Sequence, residues 1–348
     1  MQAPDFEVAS PPPDGISALA FSPQADILAV PSWDNAVCIT VNEMNDCTHH
    51  ISKVRLYEVQ PNGTTVPKAS YSHEGPVFCV DWSKDGSSVV SGGADKAARL
   101  YDLATGQSTQ VAAHDEPIRC AKFLNQQGNI LATGSWDKTI KYWDLRSPQP
   151  VGVAQLGERC YSMDTKGDLL VAATADRKIH IFNLSNPTTV YKQCISPLKW
   201  QTRTVSCFID GKGYAIGSIE GRVGIQYVDE KEAAKCFSFK CHRDETKNVY
   251  SVNDISFHPT YGTFSTAGAD GTISFWDKDS KQRLKTLPRS TGTIACTAFN
   301  RTGNIFAYGV SYDWTKGHQF HSTEGQVNKI MLHAVSDEEV KPRAPVKR

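Results

Sequence analysis

Short stretches in which apolar and polar residues alternate recur along the whole chain and end in an aromatic residue. Examples are Lys141–Tyr142–Trp143 and Ile273–Ser274–Phe275–Trp276. Successive side chains of a β-strand point to opposite faces, so this period of two predicts strands. No segment keeps a helical period of 3.6 residues for more than a turn or two. The pattern therefore predicts an all-β protein.

A longer pattern repeats above this alternation. The segments 91–102, 133–144, 172–183 and 266–277 share a run of small residues, an acidic turn and a strand with an aromatic residue near its end. The turn acids of the full set are Asp34, Asp95, Asp137, Asp176, Glu220, Asp270 and Asp313. Their separations run from 39 to 61 residues, around the roughly 40–45 residues of a four-stranded propeller blade. Seven acids predict a seven-bladed WD-repeat β-propeller.

The ring of blades must close, because open sheet edges invite aggregation. No fourth strand follows Lys329–Ile330–Met331–Leu332 in the last blade, so we expect Phe6–Glu7–Val8 to supply it. We divide the chain into residues 1–14, which close the ring, residues 15–335, which form the propeller, and residues 336–348, a charged C-terminal tail.

A histidine, a serine or threonine, an aspartate and a tryptophan of one WD repeat can form a single buried hydrogen-bonded network. Blade three has the full set, His114, Thr133, Asp137 and Trp143. Blade six has His242, Thr266, Asp270 and Trp276, and blade two has His73, Ser91 and Asp95 with Tyr101 in place of tryptophan. Because the histidine–aspartate pairing recurs, we interpret it as structural and not as a catalytic or metal-binding pair.

Composition narrows the class of protein. The chain is 40% hydrophobic and 21% charged, which is ordinary for a soluble domain, and its formal net charge is zero. No apolar run is long enough for membrane insertion, and the N-terminus does not resemble a secretory signal. We therefore expect the cysteines to be reduced. Because no two cysteines have the C-x-x-C spacing of a metal site, we expect neither a metal nor a cofactor. Cysteines at one repeated first-strand position are interpreted as small apolar packing residues: Cys79, Cys120, Cys160 and Cys296.

The repeat is interrupted in two blades. Seven residues separate Asp137 from the end of its third strand at Asp144, but 24 separate Asp34 from Glu58 in blade one. The added piece runs from about Cys38 to Lys53, and blade seven has a similar excursion from Tyr312 to about Asn328. Blades one and seven are neighbours in a closed ring, and both insertions leave from the same hairpin. Such insertions often mark a binding face.

Candidate contact residues lie beside the hairpins. Trp33, Trp136 and Trp314 are each adjacent to a turn acid, where tryptophan could anchor a partner or could pack on its own hairpin. The basic residues Lys138, Arg177, Arg222 and Lys316 belong to the same predicted face. They could meet an acidic peptide or a nucleic-acid backbone, or they could be ordinary solvated charges.

Four segments resemble a known family, the mRNA export factors of the nuclear pore, which are WD-repeat proteins. They are Ser218–Val223, Tyr250–Pro259, Phe275–Asp279 and Tyr312–His318. The first of these also occurs in mitotic-checkpoint propellers, whereas Tyr312–His318 favours the export factors. The resemblance covers essentially the whole chain.

The resemblance implies a non-enzymatic adaptor that binds the GLEBS peptide of an FG-repeat nucleoporin and takes part in poly(A) RNA export. It also implies weak binding of single-stranded RNA and a location in the nucleus, at the pore, with shuttling to the cytoplasm. Trp314, Lys316 and His318 would contact the peptide, and Arg222 and Lys316 would also contact RNA. Blade five departs from the pattern at Gln226–Tyr227, which leaves its network open.

Two alternatives remain. One is a spindle-checkpoint propeller that binds similar motifs on checkpoint kinases. The other is an enzyme that uses the central channel, against which stands the lack of a convergent titratable cluster. We expect no small-molecule substrate.

Overall fold

The computed structural model describes residues 4–34, 36–37, 50–124, 129–315, 317–320 and 328–343. Its strands form seven antiparallel sheets, one for each predicted blade. The N-terminal strand is β1 (Phe6–Glu7), and blade one contains β2 (Ala20–Phe21), β3 (Ile27–Pro31), β4 (Ala36–Val37), β5 (His50–Val59) and β6 (Thr65–His73). Blade two contains β7 (Val77–Trp82), β8 (Ser88–Gly93), β9 (Ala97–Asp102) and β10 (Ser108–Ala113). Blade three contains β11 (Ile118–Phe123), β12 (Ile130–Ser135), β13 (Thr139–Asp144) and β14 (Pro150–Gln155).

The remaining blades follow in chain order. Blade four contains β15 (Cys160–Lys166), β16 (Leu169–Thr174), β17 (Lys178–Asn183) and β18 (Val190–Ile195). Blade five contains β19 (Thr202–Cys207), β20 (Gly213–Ser218), β21 (Arg222–Tyr227) and β22 (Phe237–Lys240). Blade six contains β23 (Val252–Phe257), β24 (Phe264–Gly268), β25 (Ile273–Asp277) and β26 (Gln282–Thr286). Blade seven contains β27 (Ile294–Phe299), β28 (Ile305–Val310) and β29 (Lys329–Ala334). Among the residues described, helical structure is limited to 3₁₀ turns at Glu230–Lys235 and His318–Phe320 and the helix α1 (Asp337–Val340).

The hairpin that joins the second and third strands of a blade uses a left-handed residue directly after the turn acid. Lys96, Lys138 and Arg177 occupy it with φ of 63°, 70° and 65°, and glycine occupies it at Gly221 and Gly271. A tight antiparallel hairpin needs a positive φ, which glycine adopts without strain. This repeated turn brings each acid to the same end of its blade.

Apolar side chains fill the space between successive blades. Trp143 and Ile118 pack between blades two and three, and Tyr142 and Phe182 pack between blades three and four. Cys79, Cys120 and Cys296 are buried at one repeated position of the innermost strands, directly after the bulged residue, as predicted. Cys160 is also buried, but it precedes the bulge and takes the position of Ile118, so the prediction of one shared position was wrong for Cys160. A methyl group on Gly134 would lie 2.7 Å from the Cys160 sulfur, so these interfaces leave no room for larger side chains.

The predicted network of blade three is present as a continuous set of hydrogen bonds. His114 Nδ1 lies 2.7 Å from Asp137 Oδ2, and His114 Nε2 lies 2.7 Å from Thr133 Oγ1. Trp143 Nε1 donates to the same Thr133 oxygen over 2.8 Å. Burial alone raises the pKa of Asp137, but the hydrogen bonds from His114 and Thr139 outweigh it and hold that pKa well below its usual value. Blade six repeats the arrangement around Thr266.

Blade two corrects one expectation. The sequence pattern places Tyr101 in the tryptophan role, but the hydroxyl that donates to Ser91 belongs to Tyr71, over 2.8 Å. Tyr71 comes from the outermost strand of the preceding blade and stacks on Tyr101 with ring centroids 4.8 Å apart. A tyrosine at the strand end carries its polar atom farther out than indole does, so the donor comes from the neighbouring blade.

Blade five has no such network among its described residues. Glu220 replaces the aspartate, and its Oε1 is buried without a hydrogen-bond donor. Arg222 Nε lies 3.7 Å from Glu220 Oε2. Blade five, whose third strand ends in Gln226–Tyr227 instead of the usual aromatic residue and aspartate, thus packs without the polar network.

The N-terminal segment pairs with the last strand. Phe6 lies opposite Leu332 in an antiparallel ladder between β1 and β29, and Val8 N donates to Ile330 O over 2.8 Å. Val8 is buried in the core between blades one and seven. Blade seven thus receives its fourth strand from residues near the N-terminus.

The chain after residue 335 folds back on the propeller as far as Arg343. Thr263 Oγ1 in blade six donates to Val340 O over 2.7 Å, and the Arg343 guanidinium donates to Leu284 O over 3.1 Å. Val340 is buried. The segment predicted as a charged tail is therefore packed on blade six through its first eight residues, and residues 344–348 lie outside the described part.

A histidine clasp joins the two chain ends. His333 Nδ1 lies 2.7 Å from Asp5 Oδ1, and His333 Nε2 lies 3.2 Å from Glu339 Oε2. Burial alone lowers the pKa of His333, but the two carboxylates outweigh it and raise that pKa to about 9. Tyr308 also donates to Asp5 Oδ2 over 2.6 Å. The protonated ring therefore holds the N-terminal strand and α1 together.

None of the helices in the described segments has the length and apolar character needed to cross a bilayer.

Replacing Thr133 with valine should destabilise the protein by roughly 2–4 kcal/mol, because the buried His114 and Trp143 nitrogens lose their shared partner. Urea unfolding followed by circular dichroism measures the change. The control is Thr109→Val on the exposed outermost strand of blade two, expected to change stability by less than about 0.5 kcal/mol. Equal stability of the two variants would contradict the role of the network.

Stability should fall as pH rises from about 6.5 to about 9. A histidine in an unfolded chain titrates near about 6.5, and His333 titrates at about 9 in the folded protein. The raised pKa contributes fully below the unfolded value and is lost through the folded value, up to about 3 kcal/mol. Unfolding free energies of wild type and His333→Gln at pH 6 to 10 test this: the variant should be less stable at pH 6 and lack most of the decline. Parallel curves would count against the clasp.

Candidate partner-binding face

One end of the propeller carries all the turn acids and the connections between blades, and we call it the top face. Backbone hydrogen bonds join these elements around the ring, for example His114 N to Lys96 O over 3.0 Å and Ile219 N to Gln201 O over 3.1 Å. The hairpins with the predicted insertions, in blades one and seven, open on this face. The prediction that both insertions share one face agrees with this topology, although residues 38–49 and 321–327 lie outside the described part.

Five aromatic side chains form a continuous row on the top face, which we call the aromatic row: Tyr312, Trp314, Trp33, Phe78 and Trp136. Trp33 and Trp314 stack with ring centroids 4.4 Å apart and planes inclined by 23°. Phe78 bridges from Trp33, at 5.3 Å, to Trp136, at 5.7 Å. Such pairs contribute about 0.5–1.5 kcal/mol each beyond area burial. The row is therefore held in place by its own stacking and spans blades seven, one, two and three.

Trp314 is an aromatic residue in the left-handed position of its hairpin. Its φ is 61°, in the left-handed slot that lysine, arginine or glycine occupies in other blades. The cost of about 1–2 kcal/mol arises from the Cβ atom, so Lys96, Lys138 and Arg177 share it and only the aromatic side chain is particular to this hairpin. The strained turn places the indole against Trp33.

A cavity of about 300 Å³ lies between the aromatic row and the mouth of the central channel. Arg119 and Arg203 line it. Arg119 donates to Phe78 O over 3.2 Å, and Arg203 donates to Asp313 O over 2.5 Å. Burial lowers the pKa of Arg203, although an arginine stays protonated at any physiological pH. Two half-buried guanidinium groups beside aromatic walls suit a carboxylate flanked by apolar groups.

One polar atom of the row lacks an acceptor. The buried Nε1 of Trp136 has no hydrogen-bond partner within the described part of the chain. A buried donor without an acceptor costs about 1–3 kcal/mol. An acceptor supplied by a bound chain would remove this cost.

The structure gathers some of the predicted contact residues and separates others. Trp33, Trp136 and Trp314 meet in the aromatic row, whereas Arg222 begins β21 in blade five, pairs with Glu220 and does not line the cavity. Lys316 lies outside the described residues. His318 begins a 3₁₀ turn, and its side chain is likewise outside the description.

The other basic residues of the face have partners of their own. Lys138 Nζ lies 3.5 Å from Glu158 Oε1, with both side chains largely in solvent. The Arg177 guanidinium donates to Lys199 O over 2.7 Å. These contacts favour the interpretation of ordinary solvated charges for these two.

Sequence reasoning missed the residues that surround the channel mouth. Phe78, Arg119 and Arg203 are each the second residue of the innermost strand of a blade: β7, β11 and β19 respectively. The complete set at this position is Ser17, Phe78, Arg119, Tyr161, Arg203, Asn253 and Ala295, and all seven line the cavity. Comparing this one position across the blades would have revealed the mouth from the sequence. Tyr312 was quoted for the family resemblance but not as a contact residue.

The face offers recognition chemistry. Across the described segments, no cluster of three or more histidine, cysteine, aspartate or glutamate side chains could hold a metal ion. The cavity instead combines indole and phenyl surfaces with two cations and backbone acceptors. Aromatic surface beside arginine is the composition most common among interface anchors.

The repeats and the sheet order together define a WD-repeat β-propeller. Residues 65–102, 106–144 and 234–277 match the family described as WD domain, G-beta repeat. A poly(A)+ RNA export protein of Schizosaccharomyces pombe is 56% identical over 344 residues, 97% of this chain and 93% of the relative. The mRNA export factor GLE2 of Chaetomium thermophilum is 54% identical, covering 99% of this chain and 94% of the relative. Protein Rae1 of Drosophila melanogaster is 46% identical, covering 97% and 96%. The chain belongs to the family of WD-repeat mRNA export factors.

Proposed function

We propose that this protein is a non-enzymatic adaptor in poly(A) mRNA export, which binds a GLEBS-type peptide of an FG-repeat nucleoporin on its top face. The aromatic row beside Arg119 and Arg203 is the observation that carries the proposal. Relatives named for RNA export at up to 56% identity support the pathway. This function places the protein in the nucleus, at the pore, with shuttling to the cytoplasm.

The face suits a peptide for a physical reason. The stacked indoles lie in rigid hairpins, so binding orders few side chains and little affinity is lost to entropy. Carboxylates of the peptide would reach the two guanidinium groups, where low exposure strengthens charge-assisted hydrogen bonds. The peptide's apolar residues would cover Trp33 and Trp314.

Weak binding of single-stranded RNA is a second part of the proposal. The family resemblance implies RNA affinity, and we expect the basic side chains of Arg222 and Lys316 to make the contact. The chain has no net charge, so a phosphate contact must be local and sensitive to salt.

Alanine at Trp33 or at Trp314 should weaken binding of a nucleoporin GLEBS peptide by about 30-fold or more, as expected for a buried aromatic anchor. Isothermal titration calorimetry measures the affinity. Tyr191→Ala is the matched control, because Tyr191 is 66% exposed on the outermost strand of blade four, away from the row. Wild-type affinity in both tryptophan variants would overturn the site, and tighter binding of a checkpoint-kinase peptide would favour the checkpoint alternative.

For RNA, Arg222→Glu and Lys316→Glu should each reduce binding of a fluorescent poly(A) oligonucleotide, and their combination should abolish it. Wild-type affinity should fall steeply between about 50 and 200 mM salt, because phosphate contacts release counterions. Lys84→Glu, in the turn between β7 and β8 on the opposite face, serves as the control. Affinity that does not change with salt would exclude a phosphate contact.

A further inference from the structure

Five of the seven outermost strands carry a charged residue that discourages pairing with another chain. These residues are Lys68, Lys192, Lys240, Arg283 with Lys285, and Glu7. The two exceptions are neighbours: β10 in blade two (Ser108–Ala113) and β14 in blade three (Pro150–Gln155) have no charged side chain. Natural sheets use charge on edge strands to prevent edge-to-edge association. Blades two and three lack this protection.

The free edge of β14 has hydrogen-bonding groups to offer. Leu156 N donates inward to Lys138 O over 2.9 Å, and backbone groups alternate in direction along a strand. Val153 and Gln155 therefore direct their N–H and C=O groups outward, away from β13. β14 is the last strand of its sheet, so these groups face no other strand.

The side chains along this edge are apolar and exposed. Val151 is 60% exposed and Val153 is 41% exposed. Val153 lies opposite Lys141 in the ladder, and Lys141 lines a groove of about 700 Å³ between blades two and three. The two walls of this groove are Gln110–Asp115 and Leu145–Pro150. An apolar edge thus continues directly into a groove of the size of a small peptide site.

The outer edge of β10 is partly occupied already. Lys141 Nζ donates to Ala113 O over 3.1 Å across the groove. An added strand would therefore hydrogen-bond to the free backbone groups of β14, and its side chains would contact the wall formed by β10.

We propose that β14 docks an extended, uncharged segment of a second protein, which adds as a fifth strand to blade three. Alternate β-branched side chains of that segment cover Val151 and Val153 and enter the groove. Main-chain hydrogen bonds supply affinity and alternate side chains supply specificity in strand addition of this kind. An uncharged segment fits the two edge strands, because neither carries a charged side chain. Of the cations that line the groove, Lys141 already donates to Ala113 O and Arg146 already pairs with Asp144.

A second copy of this chain is a poorer occupant. Two rigid propellers paired through a six-residue edge would touch along a narrow strip, well below the roughly 1,200 Å² typical of a specific interface. A flexible segment can both pair with the edge and fill the groove.

The test selects random octapeptides displayed on phage against the intact protein. Selected peptides should lack charged residues, should carry β-branched residues at alternate positions, and should bind Val153→Lys at least about tenfold more weakly than wild type. Gln193→Lys is the matched control, because Gln193 holds the same position in blade four and lies opposite His180; it should bind as wild type does. N-methylation of the peptide amides that face the edge should also abolish binding.

Three results would overturn the proposal: no selected peptide that distinguishes Val153→Lys from wild type, full binding by the N-methylated peptide, or no peptide selected while sedimentation shows a dimer that Val153→Lys abolishes. The Val153→Lys protein should still bind the nucleoporin peptide on the top face. Its failure to do so would indicate a general defect, and the selection would then be repeated with Val151→Lys, judged by the same criteria.

Discussion

Every part of this fold depends on closing a circle of seven sheets, and the contacts between innermost strands maintain it. Asp81 Oδ2 accepts Phe123 N over 2.9 Å, Asp164 Oδ2 accepts Cys207 N over 2.8 Å, and Asp254 Oδ2 accepts Thr297 N over 2.7 Å. In each case a carboxylate of one blade binds the backbone of the next. Burial raises the pKa of Asp254 to about 6, so the hydrogen bonds it accepts do not fully offset its desolvation. The last gap is closed by β1 and the His333 clasp, which makes the chain ends part of the circle.

Blades three and four solve the burial of the network positions in two different ways. Blade three buries His114, Thr133 and Trp143 with every nitrogen partnered. At the corresponding positions blade four has Leu156, Ala172 and Phe182, all packed in one apolar cluster. A partly satisfied buried network is worse than either solution. His180 shows the cost: both ring nitrogens are buried without partners in the described part of the chain, and burial lowers the pKa of its imidazole.

The blades and their polar networks could be predicted because both follow from a period in the sequence. The number of turn acids predicted the number of blades, and the residue types around Asp137 and Asp270 correctly predicted the hydrogen-bonded networks of blades three and six. Contacts between blades were harder, since they join residues of different repeats. Tyr71 serves Ser91 from the preceding blade, and Arg119 and Arg203 meet at the channel mouth although 84 positions separate them. Residues of different blades come together when they lie at the same distance from the ring axis. Arg222 does not line the cavity, because in blade five it lies beside Glu220.

The departures from symmetry explain why this scaffold can be specific. A ring of seven equal blades would present seven equal sites, and no partner could choose a register on it. The aromatic row covers only blades seven, one, two and three, and it depends on Trp314 in a position where blades two to four have lysine or arginine and blades five and six have glycine. The left-handed backbone recurs at Lys96, Lys138 and Arg177, so the aromatic side chain is what distinguishes this hairpin. It breaks the symmetry at one place and so orients any chain that binds across the top face.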